Sequence, residues 1–183
     1  MSVRSFVALE LKDESIKGKI RELQESLLRT GAQIKGVEPQ NIHLTLKFLG
    51  ETPEGSIPEI VEALSSIEMP KFSLHFNGIG AFPSMYRMNV IWIGVSEGAE
   101  QVGNLHRQIE ERLAKYGRPE DFHAHLTVVR VKGGRNLSAL AEAIDSLHDA
   151  DFGTIDFLEF QFKKSILTPS GPVYTDIATF RLK

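Results

Sequence analysis

Two histidine-threonine pairs in this chain could transfer protons to and from one substrate. The tetrapeptide His43-Leu44-Thr45-Leu46 is repeated as His125-Leu126-Thr127-Val128. Each copy lies in a short apolar run that is typical of a β-strand. Because strand side chains alternate between two faces, the histidine and the threonine of each copy share one face, and their apolar neighbours face a core.

These residue types in this pattern indicate chemistry on a phosphodiester. Histidine titrates near neutral pH, so one imidazole can be neutral while the other is protonated. Threonine hydroxyls add hydrogen bonds without negative charge, which suits a tetrahedral anion such as phosphate. A phosphodiester opens when an acid protonates the leaving oxygen and a base activates the attacking group from the opposite side, and each proton transfer contributes about 10²- to 10⁴-fold.

The elements around the two motifs repeat as well. Each half is predicted to run strand, helix, histidine strand, helix, strand. The predicted strands are 6–11, the His43 run, 72–82, 90–95, the His125 run and 152–162. Gly31 and Gly117 are expected to follow the first helix of each half, and Thr52-Pro53 and Asn136 are expected to begin the second.

We interpret this order as an internal duplication within one bilobal domain, residues 1–183, with pseudo-repeats of about 1–85 and 86–183. Duplicated units commonly pack about a pseudo-twofold axis, which brings equivalent strands face to face. The interpretation therefore predicts that His43 and His125 lie opposite each other in one cleft.

Composition excludes several kinds of protein. The 183 residues are 42% hydrophobic, enough for a substantial core, and the net charge of −3 argues against coating nucleic acid through a large basic surface. The absence of cysteine excludes a disulfide framework and a cysteine-ligated metal. With neither a signal-peptide pattern nor a run of roughly 20 apolar residues, a cytoplasmic location without membrane association is expected. The basic stretch 129–135 is either a solvated turn or a local anion site.

The paired motifs also resemble those of a known family. With them come four supporting stretches: Arg4 to Leu9, Lys47 to Glu51, Gly78 to Pro83 and the closing strand Tyr174 to Leu182. Together they are similar to the two-histidine (2H) phosphoesterases, and among these to the LigT-like RNA 2',3'-cyclic phosphodiesterases, also called 2'-5' RNA ligase proteins. The resemblance covers nearly the whole chain.

The resemblance implies an α+β fold of two pseudo-symmetric lobes, each an antiparallel sheet with flanking helices, around a central cleft. It implies hydrolysis of RNA 2',3'-cyclic phosphate ends to 2'-phosphates without metal or cofactor. We expect a monomer that acts on RNA such as tRNA halves, or on a nucleotide. His43 would be the general acid, His125 the general base, and Thr45 and Thr127 the phosphate ligands. Some relatives also join RNA ends through a reversible 2'-5' bond.

Arg130 is a further substrate-binding candidate, because a basic residue often follows the second motif in this family. Strict strand alternation places it on the face opposite His125. Either a bulge or the end of the strand turns it towards the site, or it is a surface arginine.

Other side chains have simpler interpretations. Phe48 falls on the core side of its strand, and Trp92 is expected in the core or, alternatively, against a base. His123 shares a face with His125 and with Asp121, an arrangement that could chelate a metal but that the first motif does not repeat. His106 and His148 are expected to be structural or at the surface, and His75, in a strand without a partner motif, is assigned no role.

Three functions remain open. The first is the RNA cyclic phosphodiesterase. The second is a related 2H phosphoesterase that acts on a small cyclic phosphate or trims an RNA 3' end. The third is a nucleotide- or RNA-binding module without turnover, against which both intact histidines argue, since binding alone would tolerate arginine or lysine there.

Overall fold

A computed structural model describes the whole chain, Met1–Lys183, as nine strands and four α-helices. The strands are β1 Ser2–Glu10, β2 Ile34–Gly36, β3 His43–Pro53, β4 Phe72–Pro83, β5 Met88–Val95, β6 His125–Val131, β7 Asp151–Phe157, β8 Glu159–Thr168 and β9 Gly171–Arg181. The helices are α1 Glu14–Leu28, α2 Ile57–Ser65, α3 Ala99–Arg112 and α4 Leu137–Ser146. None of the helices is long and apolar enough to span a membrane.

The strands form two antiparallel sheets. The first sheet has the order β3-β1-β8-β9, and the second has the order β2-β6-β5-β4-β7. Each histidine motif lies at the start of its strand, β3 in the first sheet and β6 in the second. The predicted α+β fold with two antiparallel sheets and flanking helices is confirmed.

The two halves of the chain exchange strands between the sheets. β4 comes from the first half but pairs with β5 in the second sheet, since only Ser84 to Arg87 connects the two strands. β8 comes from the second half but pairs with β1 in the first sheet. Each sheet therefore contains strands from both halves.

The predicted single strand 152–162 is wrong. The segment forms β7, which pairs with β4 in the second sheet, and β8, which pairs with β1 in the first. Leu158 separates the two strands and is 56% exposed. The sequence does not show where the chain passes from one sheet to the other, because buried apolar residues occur on both sides of Leu158.

Most helix boundaries follow the sequence pattern. α1 begins after Asp13, whose side chain accepts a hydrogen bond from the backbone N–H of Ile16 at 2.8 Å. Gly31 lies just beyond its end with φ +79°, a conformation that glycine adopts at low cost. Asn136 immediately precedes α4, but its side chain donates to the carbonyl of Thr30 instead of capping the helix.

The predicted start of α2 at Thr52-Pro53 is wrong. Both residues still belong to β3, and the buried hydroxyl of Thr52 shares a hydrogen bond with that of Ser5 at 2.7 Å. A 3₁₀ turn at Glu54–Ser56 follows, and α2 begins at Ile57 with Pro58 in its first turn. The hydrogen-bond partner of the Thr52 hydroxyl, Ser5, lies 47 residues away in sequence, so local propensity could not indicate it.

The core lies between the sheets and the helices. Alternate residues of the histidine strands, Leu44 and Leu126 among them, are fully buried there, and each of the four helices buries apolar residues in the same core. The histidines and threonines point to the opposite face of each strand, as strand alternation predicts.

Candidate active site

Both histidine-threonine pairs line one cleft of about 910 Å³ between the two sheets. His43 and Thr45 come from β3, and His125 and Thr127 come from β6. β3 and β6 lie close together across the cleft, and the charge of one histidine acts on the other. The structure thus brings together the four residues that the repeated motif singled out.

The two imidazoles are held in the same way. Nδ1 of His43 lies 2.7 Å from the carbonyl oxygen of Asn41, and Nδ1 of His125 lies 2.6 Å from that of His123. Since a carbonyl oxygen only accepts hydrogen bonds, Nδ1 carries the proton in both rings. Nε2 is therefore the unprotonated nitrogen of each ring, and that of His43 accepts a hydrogen bond from the hydroxyl of Thr45 at 3.0 Å.

Aromatic side chains fix both rings against the floor of the cleft. The centroid of His43 lies 5.0 Å from that of Phe6 and 5.3 Å from that of Tyr174, whose ring meets it edge-on. His125 meets the ring of Phe82 edge-on at 5.1 Å. This packing restrains the directions in which the two Nε2 atoms point.

Burial makes both histidines weak bases in the free protein. It lowers the pKa of His43 from 6.5 to about 4, although the hydrogen bond to Asn41 opposes the effect and the charge of Lys163 adds to it. Burial likewise lowers the pKa of His125, against the hydrogen bond to His123. Both side chains are therefore neutral at pH 7 until a ligand changes their surroundings.

A β-bulge in β3 turns Phe48 into the cleft. In the pairing with β1, Ala8 lies opposite Thr45 and Val7 lies opposite Lys47, so Leu46 has no partner. Beyond the bulge, Lys47 is buried and Phe48 is 47% exposed on the cleft side. The prediction that Phe48 packs in the core is wrong, because it assumed an unbroken alternation.

A second bulge places Arg130 in the cleft. Trp92 pairs with Thr127 and Ile91 pairs with Val129, so Val128 is left without a partner on β5. Arg130 consequently lies on the same face as Thr127 and lines the cleft. Of the alternatives that the sequence left open, the structure therefore contains the bulge. Phe48 and Arg130 each follow their motif histidine by five residues.

Each bulge is held by a helix from the other half of the chain. The unpaired carbonyl of Leu46 accepts a hydrogen bond from Nδ1 of His106 in α3 at 2.7 Å. The carbonyl of Val128, which also accepts the backbone N–H of Val37 at 2.9 Å, accepts one from Nε2 of Gln24 in α1 at 2.9 Å. Gln24 and His106 occupy equivalent positions in the two halves, and these contacts give His106 the structural role expected of it.

A buried ion pair adds a second contact between α3 and the first bulge. Nζ of Lys47 lies 2.9 Å from both carboxylate oxygens of Glu110, one helical turn beyond His106. Only 2% of the Lys47 side chain is exposed. The carboxylate of Glu110 thus neutralises the ammonium of Lys47, which the bulge places in the protein interior.

The other candidates lie around or away from the cleft. Trp92 is half-buried against Phe82 at 5.2 Å and lines a neighbouring cavity. His123 and Asp121 line the cleft, but no group of three or more histidine, cysteine or acidic side chains is close enough to hold a metal ion. His75 contacts Thr154 and Asp151 in the second sheet, and His148 contacts the carbonyl of Asp145.

Sequence comparison identifies the family. The profile of the family described as "LigT like Phosphoesterase" matches residues 9–92 and again residues 93–174. The chain belongs to this family of LigT-like phosphoesterases. The two consecutive matches each contain one histidine motif.

Similar proteins cover the chain from end to end. A protein of Methanothermobacter thermautotrophicus named RNA 2',3'-cyclic phosphodiesterase is 40% identical over 100% of both chains. One of Archaeoglobus fulgidus with the same name is 40% identical over 97% of this chain and 99% of its own. The crystal structure of TT0787 of Thermus thermophilus has a TM-score of 0.77 and 28% identity over 98% of this chain and 97% of its own. The crystal structure of apo LigT of E. coli has a TM-score of 0.80 and covers 100% of this chain and 98% of its own. Because the two sequences are only 22% identical, this similarity supports the fold alone.

Proposed function

We propose that this protein hydrolyses the 2',3'-cyclic phosphate end of RNA to a 2'-phosphate. The observation that carries the proposal is the cleft itself, in which two imidazoles, each with Nε2 unprotonated, converge with two threonine hydroxyls and one guanidinium. The names of the relatives at about 40% identity support the same substrate.

In this mechanism three side chains bind the phosphate and one binds the base. Thr45, Thr127 and Arg130 surround the phosphate oxygens, and the arginine supplies the positive charge. Phe48 offers the exposed face of its ring for stacking with the terminal nucleobase. The ribose then lies against the first sheet, which carries both Phe48 and His43.

The two histidines share the proton transfers. His43 protonates the departing 3' oxygen on the ribose side, and His125 accepts a proton from the attacking water on the opposite side. The P–O3' bond breaks, and the phosphate remains on the 2' oxygen. The chain needs no metal for either step.

Substrate binding prepares His43 for its role as an acid. In the free protein its pKa is about 4, so the ring is neutral at pH 7. A phosphodiester anion at about 4 Å contributes about 4 kcal/mol at an effective dielectric constant of 20. Since one pKa unit corresponds to about 1.4 kcal/mol, the bound substrate returns the pKa of His43 to near neutrality.

The same machinery can run backwards. If a 5'-hydroxyl replaces water, microscopic reversibility gives a 2'-5' phosphodiester bond, and the extra cavity beside His125 favours this second activity. A small cyclic phosphate or an RNA 3' end would use the same residues. We expect the protein to act as a monomer on RNA ends such as those of tRNA halves.

The proposal is tested by incubating EDTA-treated protein with an oligonucleotide that ends in a 2',3'-cyclic phosphate. We expect multiple turnovers at an unchanged rate. Loss of activity on chelation with recovery on adding zinc would overturn the metal-free mechanism and would implicate His123 and His125 as ligands.

Two matched substrates separate the alternatives. 2',3'-cyclic AMP tests a preference for small cyclic phosphates, and the same oligonucleotide with a free 3'-hydroxyl tests trimming of the 3' end. Tight binding of all three without turnover would indicate a binding module instead of an enzyme.

A further inference from the structure

We infer that Arg4, Ser165 and Tyr174 form a second phosphate site, which binds the phosphodiester on the 5' side of the terminal nucleotide. The inference rests on the proposed function, and it makes RNA with at least one internucleotide phosphate the preferred substrate. The three residues are direct neighbours across the first sheet. Arg4 of β1 pairs with Ser165 of β8, and Ser165 pairs with Tyr174 of β9.

This row of three residues faces the cleft. Residues that lie directly opposite each other in an antiparallel pair project to the same face of the sheet. All three residues line the cleft that holds the histidines. Because neighbouring strands are about 4.8 Å apart, the row spans about 10 Å. A guanidinium, a hydroxyl and a phenol thus border one continuous stretch of the cleft.

The hydrogen-bond donors of the row are unpaired within the protein. None of the three side chains forms a hydrogen bond or an ion pair, and Glu51, which lies opposite Arg4 on β3, accepts a hydrogen bond from the hydroxyl of Ser2 at 2.8 Å. Burial raises the pKa of the Tyr174 phenol, so the phenol stays protonated and can donate. The positive charges of Arg130 and Arg4 act on the same phenol. An anion bound here would therefore meet free donors and two guanidinium groups.

The position of the row follows the direction of the RNA strand. The phosphate on the 5' side of the terminal nucleotide is one ribose away from the cyclic phosphate. Tyr174 meets the ring of His43 edge-on at 5.3 Å and that of Phe6 at 5.0 Å, so the row begins one side chain away from the reacting group. Phe48 pairs with Phe6 from β3, on the opposite side of β1 from Tyr174. A ribose over Phe6 thus has its base at Phe48 and its 5' side at Tyr174.

The hairpin between β8 and β9 continues the row with apolar side chains. Leu167 and Pro172 pair on the same face beyond Ser165 and Tyr174, and Leu167 is 70% exposed. The side-chain amide of Asn41 donates to the carbonyl of Pro172 at 3.0 Å, which ties the hairpin to the segment before β3. A nucleoside attached to the bound phosphate would cover this apolar surface.

Three substrates isolate the contribution of the second phosphate. They are adenosine 2',3'-cyclic phosphate, the same nucleotide with a 5'-phosphate, and the adenosine dinucleotide that ends in the same cyclic phosphate. We expect kcat/KM of the unmodified protein to be at least about tenfold higher for the two substrates that carry the additional phosphate. Most of this advantage should come from a lower KM, since the added phosphate takes no part in the proton transfers.

Variants of the row assign this advantage to its residues. Arg4→Gln removes the charge, and Tyr174→Phe removes the hydroxyl but keeps the ring that packs against His43. Each should reduce the advantage of the additional phosphate, and the double variant should reduce it to within about twofold. With Arg4→Gln, kcat/KM for the nucleotide without a 5'-phosphate should change by less than about twofold. Lys164→Gln is the matched control, because it removes a positive charge from β8 on the face away from the cleft and should leave the advantage unchanged.

Several results would overturn the inference and leave the proposed function intact. The unmodified protein could open all three substrates with equal kcat/KM, or the advantage could persist in the double variant. An equal loss of the advantage in Lys164→Gln would show a general effect of charge, and an equal loss on all three substrates in Arg4→Gln would show a structural role. If the unmodified protein opens none of the three, the proposed function and this inference fail together.

Discussion

The carbonyl oxygen two residues before each histidine determines which ring nitrogen faces the cleft. Asn41 serves His43 in this way and His123 serves His125, so the two motifs have the same tautomer on separate strands. The same backbone hydrogen bond thus gives both imidazoles the same tautomer. In the proposed mechanism, their different roles come from where the substrate places its leaving and attacking oxygens.

Removing either imidazole tests these roles. His43→Ala and His125→Ala should each lower kcat at least about 10²-fold, because each removes one proton transfer of the proposed mechanism. Thr45→Val and Thr127→Val should cost less, since each removes one hydrogen bond to phosphate. Steady-state kinetics with circular dichroism as the control for folding would measure this. Turnover near that of the unmodified protein in either alanine variant would refute the assignment.

The pH dependence tests the protonation states. The proposed mechanism requires a neutral His125 and a protonated His43, and burial lowers the pKa of both, to about 4 for His43. The profile of kcat/KM, which reflects the free protein, should therefore be a bell centred below pH 6.5. That of kcat should lie at higher pH, since the bound anion raises the pKa of His43. The apparent pKa values of the two limbs of each profile are properties of the coupled pair of histidines and not of either residue alone. A rate that rises to a plateau at high pH would exclude a protonated histidine.

At the scale of elements, the two bulges decide which side chains reach the cleft. Without them, Phe48 and Arg130 would face the core. Strand periodicity predicted His43 and Thr45 correctly because they precede the bulge, and it failed for Phe48 because the bulge is set by pairing with a distant strand. The equal offset of Phe48 and Arg130 from the two histidines was the one signal in the sequence that could have indicated both.

His106 should act as a positioning residue for the first bulge. His106→Leu leaves the carbonyl of Leu46 without its hydrogen bond, and the bulge should then hold Thr45 and Phe48 less firmly. We expect kcat/KM to fall about tenfold, mainly through KM, by the general sensitivity of catalysis to misplaced binding groups. His106→Gln keeps an N–H donor, as Gln24 does in the other half, and should retain most of the activity. Equal losses in the two variants would exclude the proposed role of the hydrogen bond.

The ion pair between α3 and the first bulge should contribute to stability. Glu110→Ala leaves the buried ammonium of Lys47 without a partner, and the free energy of unfolding should decrease by about 3 kcal/mol. The double variant Lys47→Met with Glu110→Leu should recover most of that loss, because no charge is then buried. Urea denaturation of the three proteins would measure the differences. A single variant as stable as the unmodified protein would show that solvent reaches the ammonium.

At the scale of the whole molecule, the sequence predicted the order of most elements but not their sheets. The repeat correctly placed both histidines on strands that face one cleft. It could not show that β4 and β8 cross to the opposite sheets, since the partners of these strands are fixed by tertiary packing. The single bilobal domain of residues 1–183 stays a prediction, supported by this exchange of strands. The exchange also explains why helices of one half can hold the motif of the other.

The product of ring opening tests the central claim most directly. An oligonucleotide ending in a 2',3'-cyclic phosphate would be digested to completion, and the terminal phosphate would be located by ³¹P NMR. With His43 beside the 3' oxygen and His125 beside the attacking water, only the P–O3' bond breaks, and the product carries a 2'-phosphate. A predominantly 3'-phosphate product would contradict this account, because the substrate would then lie in the cleft in the opposite direction.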